Sequence, residues 1–507
     1  MKPLHRRLVL IALLIGALSW QALHRAPVDG HHAALTVTAA APDLLHLGRL
    51  MLEPCRIGKS RAGVPTLRAY CTTLQVPEDR AQPAGRQIRL KVAVVRAAAA
   101  QADPDPVVFL DGGPGGAASD DYPMIVGAFD PLLKRRLLVL VDQRGTGGSN
   151  ALDCELPDAE PSASTPAQQA LRSCLDKLAP RAAPQFYTTS EAVADLEAVR
   201  TAIGSPQLNL IGVSYGTRVA QQYARRYPAA VRAMVLDSAV PNDLALGSEH
   251  ARNLETVLRE LFDRCRAARS CAERFGDPYQ TLRRVRARLA AQPQTLELRD
   301  PYTFRTQSKT VTAAALAQLL RLYAYSPYTA ALLPYVLQEA DAGRYAPLLG
   351  QAQLAVGDVA DNLTGGMGLS VSCAEDADRL RPQPADADTV LGNALIQWLL
   401  DACPHWPHAQ RPAGFGAPLR GDLPVLVLAG EHDPVTPPRY GEAIVRTLPQ
   451  GRLLRVAGQG HAVLGVGCMP RLVEEFIRNR DARALDARCL QALAQTPPFL
   501  DANGAGP

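Results

Sequence analysis

An α/β fold is predicted: a mostly parallel eight-stranded sheet with helices on both faces and a large, mainly helical insertion acting as a cap. Three observations predict it. Six short, uniformly apolar runs at 107–110, 137–141, 208–211, 233–236, 425–429 and 453–456 read as buried parallel strands, several of them followed by glycines and helical patterns. Two longer stretches, LRAYCTTLQVP at 67–77 and RQIRLKVAVVRA at 86–97, read as an antiparallel strand pair. Between the passage VLDSAVPND at 235–243 and the strand at 425, roughly 180 residues interrupt the rhythm, too many for a structureless loop in a compact domain.

At the N-terminus, Lys2, Arg6 and Arg7 precede the apolar run 8–18, the order of a secretory signal. The run is shorter than the roughly 18 residues of a membrane span. Residues 1–22 are therefore expected to be a cleaved leader, with no stable membrane association and an exported product, periplasmic or extracellular. The formal charge of +5 falls to +2 when those three basic residues leave, so no basic patch argues for nucleic acid. Ten cysteines behind an export signal point to disulfides. Pairing in chain order would close five short loops, although spacing does not fix connectivity. No C-x-x-C pair or compact Cys/His cluster suggests a metal, and no cofactor is expected.

The expected organisation is a loose Ala/Pro/His-rich lead-in at 23–54, a first core part at 55–243, the cap at 244–420 and a second core part at 421–507. Within the first part, 190–204 has a helical apolar stripe, an early Glu191 and a terminating Gly204. Helical periodicity in the cap covers 249–268, 279–290, 312–325 and 328–342. The segment 471–477 closes the fold as a late helix. The cap is expected over the carboxyl ends of the strands, where doubly wound sheets keep their ligand crevice.

The chemistry centres on LNLIGVSYGTRVAQQY at 208–223, a strand, a sharp turn at Gly212–Ser214–Gly216 and a helix. Glycines on either side of Ser214 keep Cβ atoms out of a strained turn that exposes its hydroxyl. A serine needs a base and an acid to hold that base. Asp433 follows the strand 424–430, and His461 follows the strand 453–458. Ser214, Asp433 and His461 are thus the expected catalytic residues, in the chain order of the α/β-hydrolase arrangement. Glu431 is the rival acid. The loop DGGPGG at 111–116 brings backbone N–H groups to a developing oxyanion, with those of Gly113 and Tyr215 as expected donors. Asp142 and Arg144 are expected to bind one another and anchor their loop against 111–116.

DGGPGG at 111–116, DQRGTGGS at 142–149, GVSYGT at 212–217, GEHDPVTP at 430–437 and GQGHA at 458–462 resemble the prolyl iminopeptidase and tripeptidyl aminopeptidase branch of the α/β-hydrolases. The resemblance covers roughly 60–242 and 418–500 and is weaker in the cap. It implies an α/β-hydrolase fold and a secreted serine exopeptidase that removes one to three residues from free N-termini of short peptides. It also implies a carboxylate for the substrate amino group in the stretch LSVSCAED at 369–376, which nominates Glu375 with Asp376 beside it. One departure is Asp111, where the branch usually has histidine. A carboxylesterase or lipase-like enzyme with the same triad, and a non-catalytic binding protein on the same fold, are the alternatives.

Overall fold

A computed structural model describes residues 43–59, 65–153, 164–299 and 304–505. The expected leader and Cys154 lie outside them. The chain enters through β1 (Leu45–Leu47) and β2 (Leu50–Ile57), continues through β3 (Leu67–Pro77) and β4 (Gln87–Val95), and reaches the short apolar strands β5 (Val107–Leu110) and β6 (Leu138–Val141). Helix α1 (Thr189–Ala202) leads to β7 (Leu208–Val213), α2 (Tyr215–Arg226) and β8 (Val231–Asp237). The α1 N-cap is Thr188, whose side chain accepts the Glu191 N–H.

The insertion follows, built from α3 (His250–Ala267), α4 (Pro278–Ala291), a hairpin of β9 (Gln294–Arg299) and β10 (Thr306–Val311), α5 (Ala313–Tyr323), α6 (Leu333–Asp341), α7 (Ala346–Asn362), α8 (Gly365–Glu375) and α9 (Ala394–Ala402). The main sheet resumes with β11 (Val425–Gly430) and β12 (Gly451–Val456), and α10 (Met469–Asn479) packs last.

Ten strands, rather than eight, form the sheet in the order β1-β2-β3-β4-β6-β5-β7-β8-β11-β12. All six runs read as parallel strands pair in parallel, and β1 to β4 add an antiparallel wing that joins at β6. The two additional strands, β1 and β2, cross the expected boundary at residue 54 between the lead-in and the first core part. Their alternation is broken by Pro54 and Cys55, and β1 is three residues long.

Alternate residues of each parallel strand enter two separate cores. Val108, Leu110, Leu210 and Leu236 pack with Leu196 of α1 and Val219 of α2 on one face. Phe109, Ile211, Val235 and Leu428 pack with Leu472 and Phe476 of α10 on the other. This period-two split makes a three-layer body. The cap has its own core, in which Leu254, Leu258 and Phe262 of α3 meet Leu282, Leu316 and Leu337. Predicted cap helices appear at 250–267, 278–291 and 313–323, whereas the fourth divides into Pro327–Ala330 and α6.

Disulfides join Cys55 to Cys71, Cys265 to Cys271, Cys373 to Cys403 and Cys468 to Cys489, four of the five chain-order neighbours. Cys174 is also disulfide-bonded. Among the described residues, no helix is long and apolar enough to cross a membrane.

Candidate active site

The site begins where β7 stops. Ser214 has φ 55° and ψ −123°, a conformation that costs a non-glycine residue about 1–3 kcal/mol and persists only when its surroundings enforce it. Those surroundings are visible. A Cβ on Gly212 would lie 2.6 Å from the Gly216 carbonyl oxygen, and one on Gly216 would collide with the Leu110 carbonyl. The Ser214 carbonyl accepts the Thr217 N–H at 2.9 Å and the Thr217 hydroxyl at 2.6 Å, while the Ser214 N–H donates to the Asp237 carbonyl at 2.9 Å.

The glycine loop after β5 lies against this serine. A Cβ on Gly112 would stand 3.0 Å from the Ser214 Cβ and 3.1 Å from the Val213 carbonyl oxygen, so glycine allows this close approach without displacing the serine turn. Gly113 has φ +110° and is followed by a cis bond to Pro114. Tyr215 is the first residue of α2, and its N–H is one of those a helix leaves unpaired at its positive end. Asp111, at the mouth of the loop, accepts the Gly112 N–H at 2.7 Å. Burial, then the nearby Asp111 charge, raises the Asp121 pKa well above the ordinary carboxylate range.

At the ends of β11 and β12, His461 Nδ1 lies 2.9 Å from Asp433 Oδ2 and 3.0 Å from Oδ1. Asp433 is fully buried and accepts the Val435 and Thr436 N–H groups at 2.9 and 2.8 Å and the Thr436 hydroxyl at 2.7 Å. Burial raises its pKa, but the His461 charge and these donors outweigh that and hold it at about 2. Burial likewise opposes protonation of His461; Asp433 more than offsets this, and the net shift is upward. With Nδ1 turned to Asp433, Nε2 is the nitrogen left for proton exchange. Glu431, the rival acid, instead accepts the Gly458 N–H at 2.8 Å.

Two residues that sequence reasoning missed hold these parts together. Asp237, at the end of β8, bonds Ser214 through its carbonyl, while its carboxylate accepts the N–H groups of Val463 at 2.9 Å and Leu464 at 2.7 Å. Ser238 Oγ accepts the Ala462 N–H at 2.8 Å. One strand end thus ties the serine turn to the histidine loop. A buried aspartate closing an apolar strand was the available signal, in VLDSAVPND at 235–243. The second residue is Tyr325 of the cap, whose carbonyl accepts the His461 N–H at 2.8 Å and whose ring meets the imidazole edge-on, centroids 4.9 Å apart.

Glu375 ends α8, 1 % exposed, and accepts the Thr189 N–H at 2.6 Å and hydroxyl at 2.9 Å. Thr189 Oγ1 is also 2.7 Å from the Tyr215 hydroxyl, so Glu375 reaches the residue after Ser214 through a single side chain. Burial, opposed by Arg218 and reinforced by Asp376, raises the Glu375 pKa to about 7. Asp376 differs: its oxygens are engaged by Arg218 at 2.8 Å and Arg379 at 2.5 Å.

Asp142 and Arg144 do not bind one another, contrary to expectation, because each is satisfied elsewhere. Asp142 accepts the Ser119 N–H and hydroxyl at 2.9 and 3.0 Å and the Gly148 N–H at 2.9 Å, fastening its loop just beyond the glycine loop. Arg144 forks onto Asp195 at 2.7 and 2.8 Å and donates to the carbonyls of Glu78 and Phe186. Its anchorage is therefore to α1 and the end of β3.

Comparison with known proteins places the described geometry among relatives. Residues 105–331 match the model of the alpha/beta hydrolase fold, and residues 388–489 match that of TAP-like protein. The chain is 26% identical over 485 residues to serine protease Hip1 of Mycobacterium tuberculosis, covering 86% of this chain and 90% of that protein. It is 25% identical over 462 residues to a tripeptidyl aminopeptidase of Streptomyces coelicolor, covering 83% and 82%. A proline iminopeptidase of Neisseria gonorrhoeae is 32% identical over 131 residues, 26% of this chain and 31% of that one.

Proposed function

Starting from a hydrolase of the α/β-hydrolase superfamily related to peptidase and esterase families, we propose that the chain is an exported serine exopeptidase. It releases amino acids or short peptides, one to three residues long, from free N-termini. The observation that carries this reading is the Asp433–His461 pair, held to the strained Ser214 turn by Asp237. Similarity to relatives named as a serine protease and a tripeptidyl aminopeptidase supports the choice of peptide bonds. The disulfides support an oxidising compartment.

In this reading His461 Nε2 takes the Ser214 proton as Oγ attacks the scissile carbonyl carbon. The resulting oxyanion is met by the N–H groups of Gly113 and Tyr215. Asp433 fixes the imidazole tautomer and stabilises the imidazolium. As the C–N bond breaks, the imidazolium returns its proton to the leaving nitrogen, and the acyl group stays on Ser214. Water then attacks the ester with His461 as base; the N-terminal fragment departs as a carboxylic acid, and Ser214 regains its proton.

Glu375 supplies the exopeptidase character. A carboxylate kept at about 7 by burial gains a partner when an ammonium arrives, so free-amine substrates are favoured over blocked ones. Asp376, beside it, keeps Arg218 in place.

The test is a panel of chromogenic amides carrying prolyl, alanyl and tripeptidyl groups, each free and N-acetylated, with a blocked ester alongside. Turnover confined to the free amides is the expected result. Preference for the blocked ester would make the chain an esterase, and inertness towards every substrate would favour a binding protein.

A further inference from the structure

Thr189 stands where α1, α2 and α8 meet. It is the first residue of α1, fully buried, and its N–H is one of those a helix leaves without an internal partner. That N–H donates to Glu375 Oε1 at 2.6 Å, and the Thr189 hydroxyl lies 2.9 Å from Glu375 Oε2, so the carboxylate sits at the positive end of α1. The same hydroxyl lies 2.7 Å from the hydroxyl of Tyr215, the first residue of α2. Tyr215 is buried too, and among the described residues its hydroxyl has no other hydrogen bond. Thr188 is the N-cap of α1, so capping does not account for the Thr189 hydroxyl.

Counting protons gives this chain of hydrogen bonds a direction. A threonine hydroxyl has one proton to donate and lone pairs with which to accept. An ionised Glu375 only accepts, so Thr189 donates to it and the Tyr215 hydroxyl donates to Thr189. Each group is then satisfied. A protonated Glu375 can instead donate to Thr189, which turns the Thr189 proton towards Tyr215 and leaves the buried Tyr215 proton without an acceptor. A buried donor in that state costs about 1–3 kcal/mol. The complete chain therefore belongs to the charged carboxylate, whose oxygens keep lone pairs for a further donor. The other charges around it are Arg218 of α2, 3.6 Å away, and the adjacent Asp376, while Arg379 and Arg411 donate to the Glu375 carbonyl at 3.3 and 3.4 Å.

Tyr215 carries this link to the chemistry, because it follows Ser214 directly and its backbone N–H is an expected oxyanion donor. At the opposite end of α8, Thr364 donates its N–H to the Gly115 carbonyl at 3.0 Å, inside the glycine loop that holds Gly113. The helix that ends in Glu375 thus starts on one half of the oxyanion hole and reaches the other half through Thr189. We propose that Thr189 is a positioning residue that couples a substrate's free amino group at Glu375 to the Tyr215 side of the oxyanion hole. An ammonium at Glu375 holds the carboxylate in its charged form. The hydrogen-bond chain then stays complete, and the start of α2 is fixed while the acyl carbonyl is attacked. A free amine raises the rate of acylation as well as the affinity, which a carboxylate serving only as a tether would not do. The inference rests on the exopeptidase reading and deepens it by making amine recognition part of the catalytic step.

Stopped-flow acylation separates rate from affinity. Alanine 4-nitrophenyl ester and its N-acetyl derivative share the acyl carbon and the leaving group and differ at the amine. The nitrophenol burst gives an acylation rate constant and a dissociation constant for each, and the free-to-acetyl ratio of rate constants is the readout. Thr189→Val keeps the N–H and the branched shape and removes the hydroxyl; it should lower that ratio about tenfold, the value of one buried hydrogen bond. Thr189→Ser returns the hydroxyl and should restore the ratio. Tyr215→Phe cuts the chain at its other end and should lower the ratio by a similar factor, which keeps the test open if Thr189→Val does not fold. The double variant should fall no further, since both changes break one link. A ratio of rate constants that survives either substitution overturns the coupling. So do losses that add in the double variant, a change confined to the dissociation constants, or equal losses on the two esters, the mark of a merely structural residue. The exopeptidase reading fails separately: a wild-type protein that handles the two esters alike has no amine site, and leaves Thr189 nothing to couple.

Discussion

Tyr325 holds His461 twice, by accepting its backbone N–H at 2.8 Å and by packing its ring edge-on against the imidazole. A cap residue therefore helps to orient a side chain carried by the sheet. The position of the cap and the alignment of this imidazole are thus linked through one residue.

Tyr325→Ala should leave the backbone bond and remove the ring. An aromatic contact of this kind contributes about 0.5–1.5 kcal/mol, so kcat on a free-amine arylamide should fall by up to about tenfold. Tyr325→Phe should retain the wild-type rate. Steady-state kinetics of the two variants make the comparison.

Asp433→Asn should preserve packing and lose the tautomer. The expected fall in kcat is on the order of 10⁴-fold, with KM little changed. Because the Asp433 pKa drops from its ordinary value to about 2 on folding, its stabilising contribution is present above pH 3.8 and is lost as pH falls through 2. Acid unfolding followed by circular dichroism should accordingly be shallower in the variant.

Much of this architecture is legible in the residues. Uniform apolar runs such as 107–110 and 425–429 announce buried strands because both faces are covered, and the spaced glycines around Ser214 announce a turn that a Cβ would block. The hairpin of β9 and β10 gives a weaker signal, since its residues are mostly exposed or half-buried and only Leu296, Leu298 and Val311 reach the cap core. Asp237 and Tyr325 are invisible for another reason: their contacts arise only when segments far apart in the chain meet at one rim. Arg144 shows the converse, because a motif identified its importance while its partners, Asp195 and two carbonyls, lay on other elements.

The pH profile should separate two groups. His461 must be neutral to act as base, and its raised pKa places the acid limb of kcat/KM above the ordinary histidine value of about 6.5 for a blocked ester. Free-amine substrates should add a second ionisation near 7 from Glu375, which must be charged to bind them. Glu375→Gln should abolish that second step and cost free-amine amides far more than the ester. Its raised pKa also means that ionisation opposes folding: stability from this group is greatest below pH 4.5 and is lost as pH rises through 7. An equal loss on both substrate types would remove Glu375 from substrate binding.

Asp237→Asn should weaken the tie between the serine turn and the histidine loop. Oδ2 accepts both the Val463 and Leu464 N–H groups, while Oδ1 accepts the Val463 N–H at 3.1 Å. An asparagine loses the charge and turns an amide donor towards one of these positions, and a buried unsatisfied donor costs about 1–3 kcal/mol. Thermal unfolding should shift downward, and kcat should fall in the protein that remains folded. An unchanged kcat would limit Asp237 to a stabilising role.

The central claim is that the Ser214 hydroxyl is made nucleophilic by His461. Labelling the wild-type protein with a serine-directed fluorophosphonate, followed by peptide mass mapping, tests it most directly. The account predicts one stoichiometric adduct on Ser214 that is lost in Ser214→Ala and strongly slowed in His461→Ala. A folded wild-type protein that takes no label, or takes it on another residue, would contradict it.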